Sequence, residues 1–363
     1  MNVIKVNTLE EQKKFLELPR ALYKTDYHQS DEIVEQFLRG THPLSAVAKI
    51  THYLLIEGEI ALGRMTLTQF PDNDTLYIGF FECQSDQAGA NLLFETAKAE
   101  AVKLDLGSVT GPVDVSFWIG YRFKTNNFDR VFFGEPQNKE YYPNLFQSAG
   151  FLPIERYVSH YQSPIQGDET ELAKFKRRNE QARSRGIRLV HPDPVDFDKY
   201  LRDIHSLLME LYSDFPVFHP LSYEDFKQIF GGLKYITDSR LIVLAYDGLL
   251  PVGFFISFPD YGNSLMVRSK LKRFWNLYKT KRHPKQIILS YSGVKKGYEG
   301  LSGALYYNIL LRVKELGLPT VSTLMKKGKV TAGFGRELEE STTEYQLYEL
   351  KVKNDASDQA FHS

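Results

Sequence analysis

The chain has 363 residues, 42% of them hydrophobic and 25% charged, which suits a soluble globular protein of two domains or one large one. Its 45 basic residues balance 45 acidic ones, so the whole molecule has no general pull on nucleic acid or on a membrane. The single cysteine, Cys83, excludes an internal disulfide and a cysteine-based zinc cluster, and suits a reducing, cytoplasmic setting. It lies in the apolar run Ile78–Cys83, which makes it an inert core thiol rather than a nucleophile. No stretch is long and apolar enough to span a membrane, and the N-terminus lacks the apolar core of a signal peptide. The histidines are scattered, with no H-x-x-x-H or H-E-x-x-H, so no metal is expected. Neither a G-x-S-x-G elbow nor a Walker loop occurs.

In chain order, Asn2–Thr8 reads as a strand and Leu9–Lys24 as a helix with Glu10 and Glu11 in its first turn. Ile50–Ile56 and Ile60–Thr68 are strands meeting at Gly58, and Thr75–Cys83 is a third. Ser85–Leu106 is a long helix, with Leu92, Leu93, Ala97, Ala101 and Leu104 at helical spacing. Val109–Val113 is a strand, Asp114–Lys139 is aromatic-rich and irregular, Tyr141–Ala149 is a short helix, and Phe151–Ser163 is a strand. Ser163–Thr170 has linker composition. Glu171–Arg185 is a basic helix whose thin apolar face (Leu172, Phe175, Ala182) suits a bridge between halves. Its Lys174, Lys176, Arg177, Arg178, Arg183 and Arg185 read as a solvated face, with anion binding as the alternative.

A second round follows: strand Ile187–Val190, helices Phe197–Tyr212 and Tyr223–Phe230, and a strand pair Leu241–Tyr246 and Val252–Phe258 around Asp247-Gly248. Gly58 precedes Gly63 by five residues, and Gly248 precedes Gly253 by the same interval. Each half then has a strand, a glycine-bearing turn, a long helix and another strand (Val109–Val113; Thr320–Leu324). This order marks a tandem duplication of one α/β unit of roughly 160 residues. In the second half, the apolar run Ile287–Leu289 feeds a loop with Gly293, Gly297, Gly300 and Gly303 into a helix from about Leu301 to Gly317. A helix N-terminus reached through glycines can cradle a pyrophosphate, because its first N–H groups are unpaired and sit at the positive end of the dipole. An ordinary strand–turn–helix connection has the same outline. Arg268–Lys285 carries eight basic residues and no acidic one, interleaved with Phe274, Trp275 and Tyr278. It reads either as a binder of an anionic group (a phosphate, an acidic substrate, RNA or a membrane surface) or as a solvated basic insertion with one helical turn.

The order of elements, together with FLELPRALYKTD (Phe15–Asp26), YIGFFECQSDQAGANLLFETA (Tyr77–Ala97), GPVDVS (Gly111–Ser116), YYPNLFQSAGF (Tyr141–Phe151), DFPVFHPLSYEDF (Asp214–Phe226), LPVGFFISFPD (Leu250–Asp260) and TTEYQLYE (Thr342–Glu349), resembles the GNAT acyltransferase superfamily in its tandem bacterial form. The resemblance implies an α/β mixed-sheet fold of two GNAT-like domains, residues 1–165 and 187–363, joined by a linker and bridging helix at 166–186. It implies acetyl-CoA or another acyl-CoA as the donor substrate, with a small-molecule or peptide amine as acceptor. It places the pantetheine between two splayed strands and the pyrophosphate at the loop, on Ser290, Ser292, Val294, Gly297, Gly300, Leu301, Ser302 and Gly303. In the superfamily pattern Q/R-x-x-G-x-G/A, Gly300 and Ser302 fit, whereas Gly297 replaces the usual Gln or Arg. The first half keeps only Gly89 and puts Asp86 where a phosphate would sit, which marks it as the degenerate copy.

Acyl transfer to an amine needs a base, a carbonyl-polarising donor and an acid for the leaving thiolate. Glu299, Tyr291 and His219 are the catalytic candidates, with Asp214 a further base. The superfamily's acid is a Tyr on the helix after the next strand. The corresponding segment Lys327–Glu339 has no Tyr, and in the first half Phe146 takes that position beside Tyr141 and Tyr142, which read as packing residues. Two other readings stand beside this one: a Fem-like transferase using aminoacyl-tRNA, with nucleic acid as partner, and a GNAT-fold ligand sensor without catalysis.

Overall fold

Apolar alternation becomes strands and 3.6-residue periodicity becomes helices in a computed structural model that describes residues 1–23, 31–165, 170–267, 269–328 and 336–352. The chain divides into two units. Unit 1 holds Met1–Phe128, Pro136–Arg156 and the chain's end from Tyr345; unit 2 holds Asp129–Glu135 and Tyr157–Glu344.

Unit 1 contains β1 (Asn2–Lys5), α1 (Leu9–Tyr23), α2 (Asp31–Leu38), β2 (Lys49–Glu57), β3 (Ile60–Gln69), β4 (Thr75–Cys83), α3 (Gln87–Lys103), β5 (Ser108–Gly111), β6 (Phe123–Lys124) and α4 (Tyr142–Ser148). Next comes β7 (Leu152–Gln162), whose residues from Tyr157 belong to unit 2. Unit 2 adds α5 (Thr170–Ser184), β8 (Arg188–Val190), α6 (Phe197–Leu211), α7 (Tyr223–Phe230), α8 (Leu233–Ile236), β9 (Ile242–Asp247), β10 (Leu250–Pro259), α9 (Lys270–Arg282), β11 (Ile287–Val294), α10 (Leu301–Leu316) and β12 (Thr320–Lys326). The last strand, β13 (Glu339–Lys351), supplies Tyr345–Lys351 to unit 1.

The two units repeat one sheet pattern. In unit 1, β1, β2, β3 and β4 are antiparallel neighbours, β4 and β5 are parallel, and β13 closes antiparallel on β5. In unit 2, β8, β9, β10 and β11 are antiparallel neighbours, β11 and β12 are parallel, and β7 closes antiparallel on β12. The duplication read from the sequence is therefore present in the topology. Relative to the halves read from the sequence the closing strands are exchanged: Tyr348–Lys351 close the sheet of unit 1, and Tyr157–Gln162 that of unit 2.

Unit 1 packs α3 on the sheet around an aromatic cluster. The Phe94 and Phe146 rings lie 4.7 Å apart, and those of Phe81 and Phe146 5.1 Å. Cys83 is buried in the same core, and burial pushes its thiol up to about 12, which keeps it an unreactive thiol. In unit 2, α10 covers the sheet through Leu305, Ile309 and Val313. The thin apolar face of α5 is a core face of this unit, since Leu172, Phe175 and Ala182 are buried in the same cluster as α10. Arg268–Lys285 departs from the one-turn reading. No proline or glycine interrupts it, Ser269 caps its start by accepting from the Lys272 N–H at 3.3 Å, and α9 runs for 13 residues.

In each unit the parallel pair stays together for three residues and then separates. β4 meets β5 at Thr75–Tyr77, and β11 meets β12 at Ile287–Leu289. A bulge in the register accompanies both separations, between Arg64 and Thr66 on β3 and between Ile256 and Ser257 on β10. In unit 1 the chain returns into the gap: the Val113 N–H donates to the Ile78 carbonyl at 2.7 Å. A Cβ added at Gly79 would lie 2.0 Å from the Val113 carbonyl oxygen. Gly79→Ala is therefore expected to destabilise unit 1 by about 3 kcal/mol, because backbone must move. Gly58→Ala, at a positive φ of 56° with nothing within 4 Å, costs about 1 kcal/mol. Urea unfolding of the two variants checks the ranking, and equal losses would show that nothing presses on Gly79.

Candidate functional site

The pairing of β11 with β12 ends at Leu289, while the other edge of β11 stays on β10 as far as Val294. Ser290 falls at the bulge, between the pairs Leu289–Ser257 and Tyr291–Ile256. Ser290, Ser292 and Val294 are half-buried and Tyr291 is 41% exposed, so this stretch of backbone remains accessible. The equivalent stretch of β4 is buried throughout. Tyr212, at the end of α6, braces the segment: its hydroxyl donates to the Ser292 carbonyl at 3.1 Å, and its ring meets Tyr291 edge-on at 6.4 Å.

Beyond Val294 the loop turns through Gly297 (φ 88°) and Gly300 (φ 86°), both in the left-handed region that favours glycine. α10 starts at Gly300 with no side-chain cap. Leu301 and Gly303 are buried in its first turn and Ser302 is half-buried. Tyr298 holds the loop by donating to Asp247 at 2.8 Å, and Lys295 pairs with Glu210 at 2.7 Å.

Arg178 of α5 lies against this helix start. A Cβ at Gly300 would be 2.7 Å from its Nη1, and a Cβ at Gly303 would be 2.5 Å from its Cδ. Arg178, Arg185, Tyr298, Glu299 and Gly300 line a cavity of about 50 Å³. A guanidinium therefore stands beside the loop although Gly297 supplies none. The clue in the sequence is spacing: Phe175, Arg178 and Ala182 stand at three- and four-residue intervals, which sets Arg178 beside the packed residues of α5 although it is itself exposed.

The structure places the proposed catalytic residues in different settings. Glu299 is exposed, and its carboxylate accepts the Gly297 N–H at 3.1 Å, so it closes its own loop. Tyr291 lies on the accessible part of β11. His219 is half-buried in the α6–α7 connection, a segment that begins beside Tyr291 through the stacked rings of Tyr212 and Phe215. Asp214 in the same segment is exposed. Most of Lys327–Glu339, where the superfamily's acid would be sought, lies outside the described residues.

The unit 1 counterpart is arranged differently. The same interval of 211 positions relates Cys83 to Val294, Asp86 to Gly297 and Gly89 to Gly300. Asp86 caps α3, its carboxylate accepting the N–H groups of Ala88 at 3.0 Å and Gly89 at 3.1 Å. Asp114 accepts the Phe80 N–H at 2.5 Å, at the bulge where Phe80 takes a φ of 43°. The helix start and the separated strand are thus both occupied by this unit's own carboxylates.

Behind Phe80 lies a buried polar cluster that the sequence reading did not anticipate, because its members are far apart in the chain. Arg64, fully buried, donates to the Phe15 carbonyl at 2.7 Å and faces Glu82 at 4.0 Å. Tyr142 donates to Glu82 at 2.6 Å and accepts the Cys83 N–H at 3.1 Å; Tyr141 donates to the Cys83 carbonyl at 2.8 Å. Both tyrosines therefore brace β4, as the packing reading expects. Burial raises the Glu82 carboxyl from its ordinary 4.5 to about 7, and that of Asp114 from 3.8 to about 6. Burial lowers His52 from 6.5 to about 4.

Folded Glu82 keeps its proton to about pH 7, whereas the unfolded chain releases it near 4.5, so this stabilisation is complete below 4.5 and is lost as pH rises through 7. His52 runs the other way, and its stabilisation is lost only as pH falls from 6.5 through 4. Above pH 6.5 Glu82 is thus the dominant titration. The thermal midpoint of unit 1 is expected to fall between pH 6.5 and 8, and Glu82→Gln to flatten that slope. An unchanged slope in the variant assigns the titration to another group.

No family profile matches this chain. A bacterial ceramide synthase of Caulobacter vibrioides is 24% identical over 256 residues, 67% of this chain, and the chain spans only 65% of that protein's length. Among solved structures, a tandem GNAT protein from the clavulanic acid biosynthesis pathway matches with a TM-score of 0.53 at 11% identity, covering 97% of this chain and 99% of that one. A probable N-acyltransferase from Enterococcus faecalis matches with a TM-score of 0.52 at 8% identity, covering 97% and 72%. The chain has the tandem GNAT fold.

Proposed function

We propose that the chain is an acyl-CoA-dependent N-acyltransferase that binds its donor in unit 2. One contrast carries the reading: β11 remains accessible from Ser290 to Val294 and leads to an uncapped helix start beside Arg178, whereas carboxylates cover both places in unit 1. Beyond Leu289, where its pairing with β12 has ended, β11 offers backbone hydrogen bonds to the pantetheine amides. The α10 start and Arg178 take the pyrophosphate through N–H groups, helix dipole and guanidinium together. In this role Arg178 replaces the side chain that Gly297 lacks.

The reaction forms a C–N bond between the acceptor amine and the thioester carbonyl carbon, and breaks the C–S bond. Backbone N–H groups near Ser290–Ser292 stabilise the oxyanion. The amine's proton passes to a base from the α6–α7 segment, His219 or Asp214, and the leaving thiolate takes up a proton from the Tyr291 hydroxyl on the strand itself. A ceramide is the amide of a fatty acid and a long-chain amino alcohol. The name of the 24% identical relative therefore makes a long-chain amine and a long-chain acyl-CoA the first substrates to assay.

Ligand binding to the folded state raises the unfolding midpoint by mass action. A long-chain acyl-CoA at a hundred times its Kd is expected to shift unit 2 upward by about 5 °C. Gly300→Glu abolishes the shift by placing a side chain and a negative charge at the loop. Arg178→Ala weakens binding about tenfold, the value of one charge-assisted contact. Absence of a shift with acetyl-CoA and with long-chain acyl-CoA would falsify the reading, and a shift without amide product on any amine identifies a binding protein instead.

Glu299 provides a separate check. Its carboxylate sits on a loop N–H that a phosphate would use, so Glu299→Gln is expected to tighten acyl-CoA binding about threefold with little change in kcat. A fall in kcat of a hundredfold or more at unchanged affinity would restore Glu299 as the base.

A further inference from the structure

α9 has an inverted distribution of polar and apolar side chains. Leu271, Phe274, Trp275 and Tyr278 recur at i, i+3, i+4 and i+7, the spacing of a single helix face. That face normally packs on a core, yet here the four are 85%, 67%, 62% and 45% exposed, and no residue of α9 is buried. The opposite face attaches the helix: Asn276 donates to the Ser264 carbonyl at 2.6 Å, and Asn276, Leu277 and Thr280 are half-buried. Lys270, Lys272, Lys279 and Lys281 flank the apolar stripe, and Arg282 lies over the Tyr278 ring at 4.9 Å. Lys281 ties the helix to α8 by donating to the carbonyl of Tyr235, a residue itself 62% exposed. Between β10 and β11, from 260 to 286, there is no glutamate, and the only aspartate, Asp260, accepts the N–H groups of Phe133 and Gly262.

We infer that α9 is a membrane-surface helix that docks unit 2 on an anionic bilayer. The apolar stripe supplies what headgroup-level burial needs, with Trp275 and Tyr278 carrying the amphipathic rings that settle at that depth. Lys270, Lys272 and Lys279 are exposed along the stripe and reach phosphate oxygens with their charged ends. A protein partner or a second copy of this chain would have to answer four lysines and an arginine with carboxylates, whereas an anionic lipid surface does so at every point. No helix among the described residues is long and apolar enough to cross a membrane, so the association is peripheral. The inference stands on α9 alone and does not depend on the acyl donor.

The full chain is mixed with vesicles of phosphatidylcholine, or of phosphatidylcholine with about a third phosphatidylglycerol, and followed by co-sedimentation and tryptophan emission. The expected result is sedimentation with the anionic vesicles only, falling as salt rises, with a blue shift that Trp275→Phe removes. Trp118, the other tryptophan, is 9% exposed and contributes no shift. Lys272→Glu with Lys279→Glu is expected to weaken binding at least tenfold, from about 1 kcal/mol per charge near the surface. Leu271→Ser with Phe274→Ser does so without changing the salt dependence. These side chains are exposed, so an unchanged circular dichroism spectrum and unfolding midpoint are required of every variant. No binding to the anionic vesicles, or binding that neither variant weakens, overturns the inference. So does conversion of a dimer to a monomer by Leu271→Ser with Phe274→Ser, which assigns the stripe to a second copy, or retention on RNA without retention on vesicles.

Discussion

Where two parallel strands separate, their facing N–H and carbonyl groups lose each other as partners, and such groups are costly to leave unpaired away from water. Each unit of this chain meets that constraint at the same point, three residues into the parallel pair. Unit 1 meets it internally. Val113 bonds back to Ile78, Asp114 takes the Phe80 N–H, and a fully buried arginine with two tyrosines braces the strand from behind. Unit 2 leaves the corresponding backbone within reach of solvent, with a hydroxyl from Tyr212 on one carbonyl. One topology thus yields a sealed seam in one copy and an accessible edge in the other.

The helix starts follow the same division. A phosphate at a helix N-terminus competes with any carboxylate already there, since both need the first N–H groups and the positive end of the dipole. Asp86 holds those groups in unit 1. The corresponding residue of unit 2 is Gly297, which cannot cap and cannot clamp. The positive charge comes instead from α5, a neighbour in space and over 100 residues earlier in the chain. Gly303 makes this possible, since a Cβ there would collide with the Arg178 side chain.

Much of the fold was legible because it rests on local signals. Period-2 runs, helical stripes and the matched Gly58–Gly63 and Gly248–Gly253 intervals gave the strands, the helices and the duplication. The exchange of closing strands was not legible, because Tyr345–Lys351 and Tyr157–Gln162 carry no mark of which sheet they join. The glycine loop of unit 2 was readable as a pattern; its arginine was not singled out, since the six basic residues of 174–185 carry no mark of which one lies at the loop, and only the packing of α5 on α10 sets Arg178 there. The cluster of Arg64, Glu82, Asp114 and Tyr142 was hidden for the same reason, with partners 18 to 60 positions apart.

A formal net charge of zero conceals the segregation that matters here. The 45 cations and 45 anions cancel over the chain, yet 261–285 holds no carboxylate at all. At physiological ionic strength charges interact over about 8 Å, so a surface is governed by its neighbours and not by the molecular total. α9 can therefore be strongly cationic on a neutral protein. The lysines around its apolar stripe repel other copies of the chain, and the same lysines favour whatever surface carries the opposite sign. Repulsion between copies and attraction to an anionic plane are two effects of one arrangement, so a change that removes the charge while leaving the stripe exposes an aggregation-prone face.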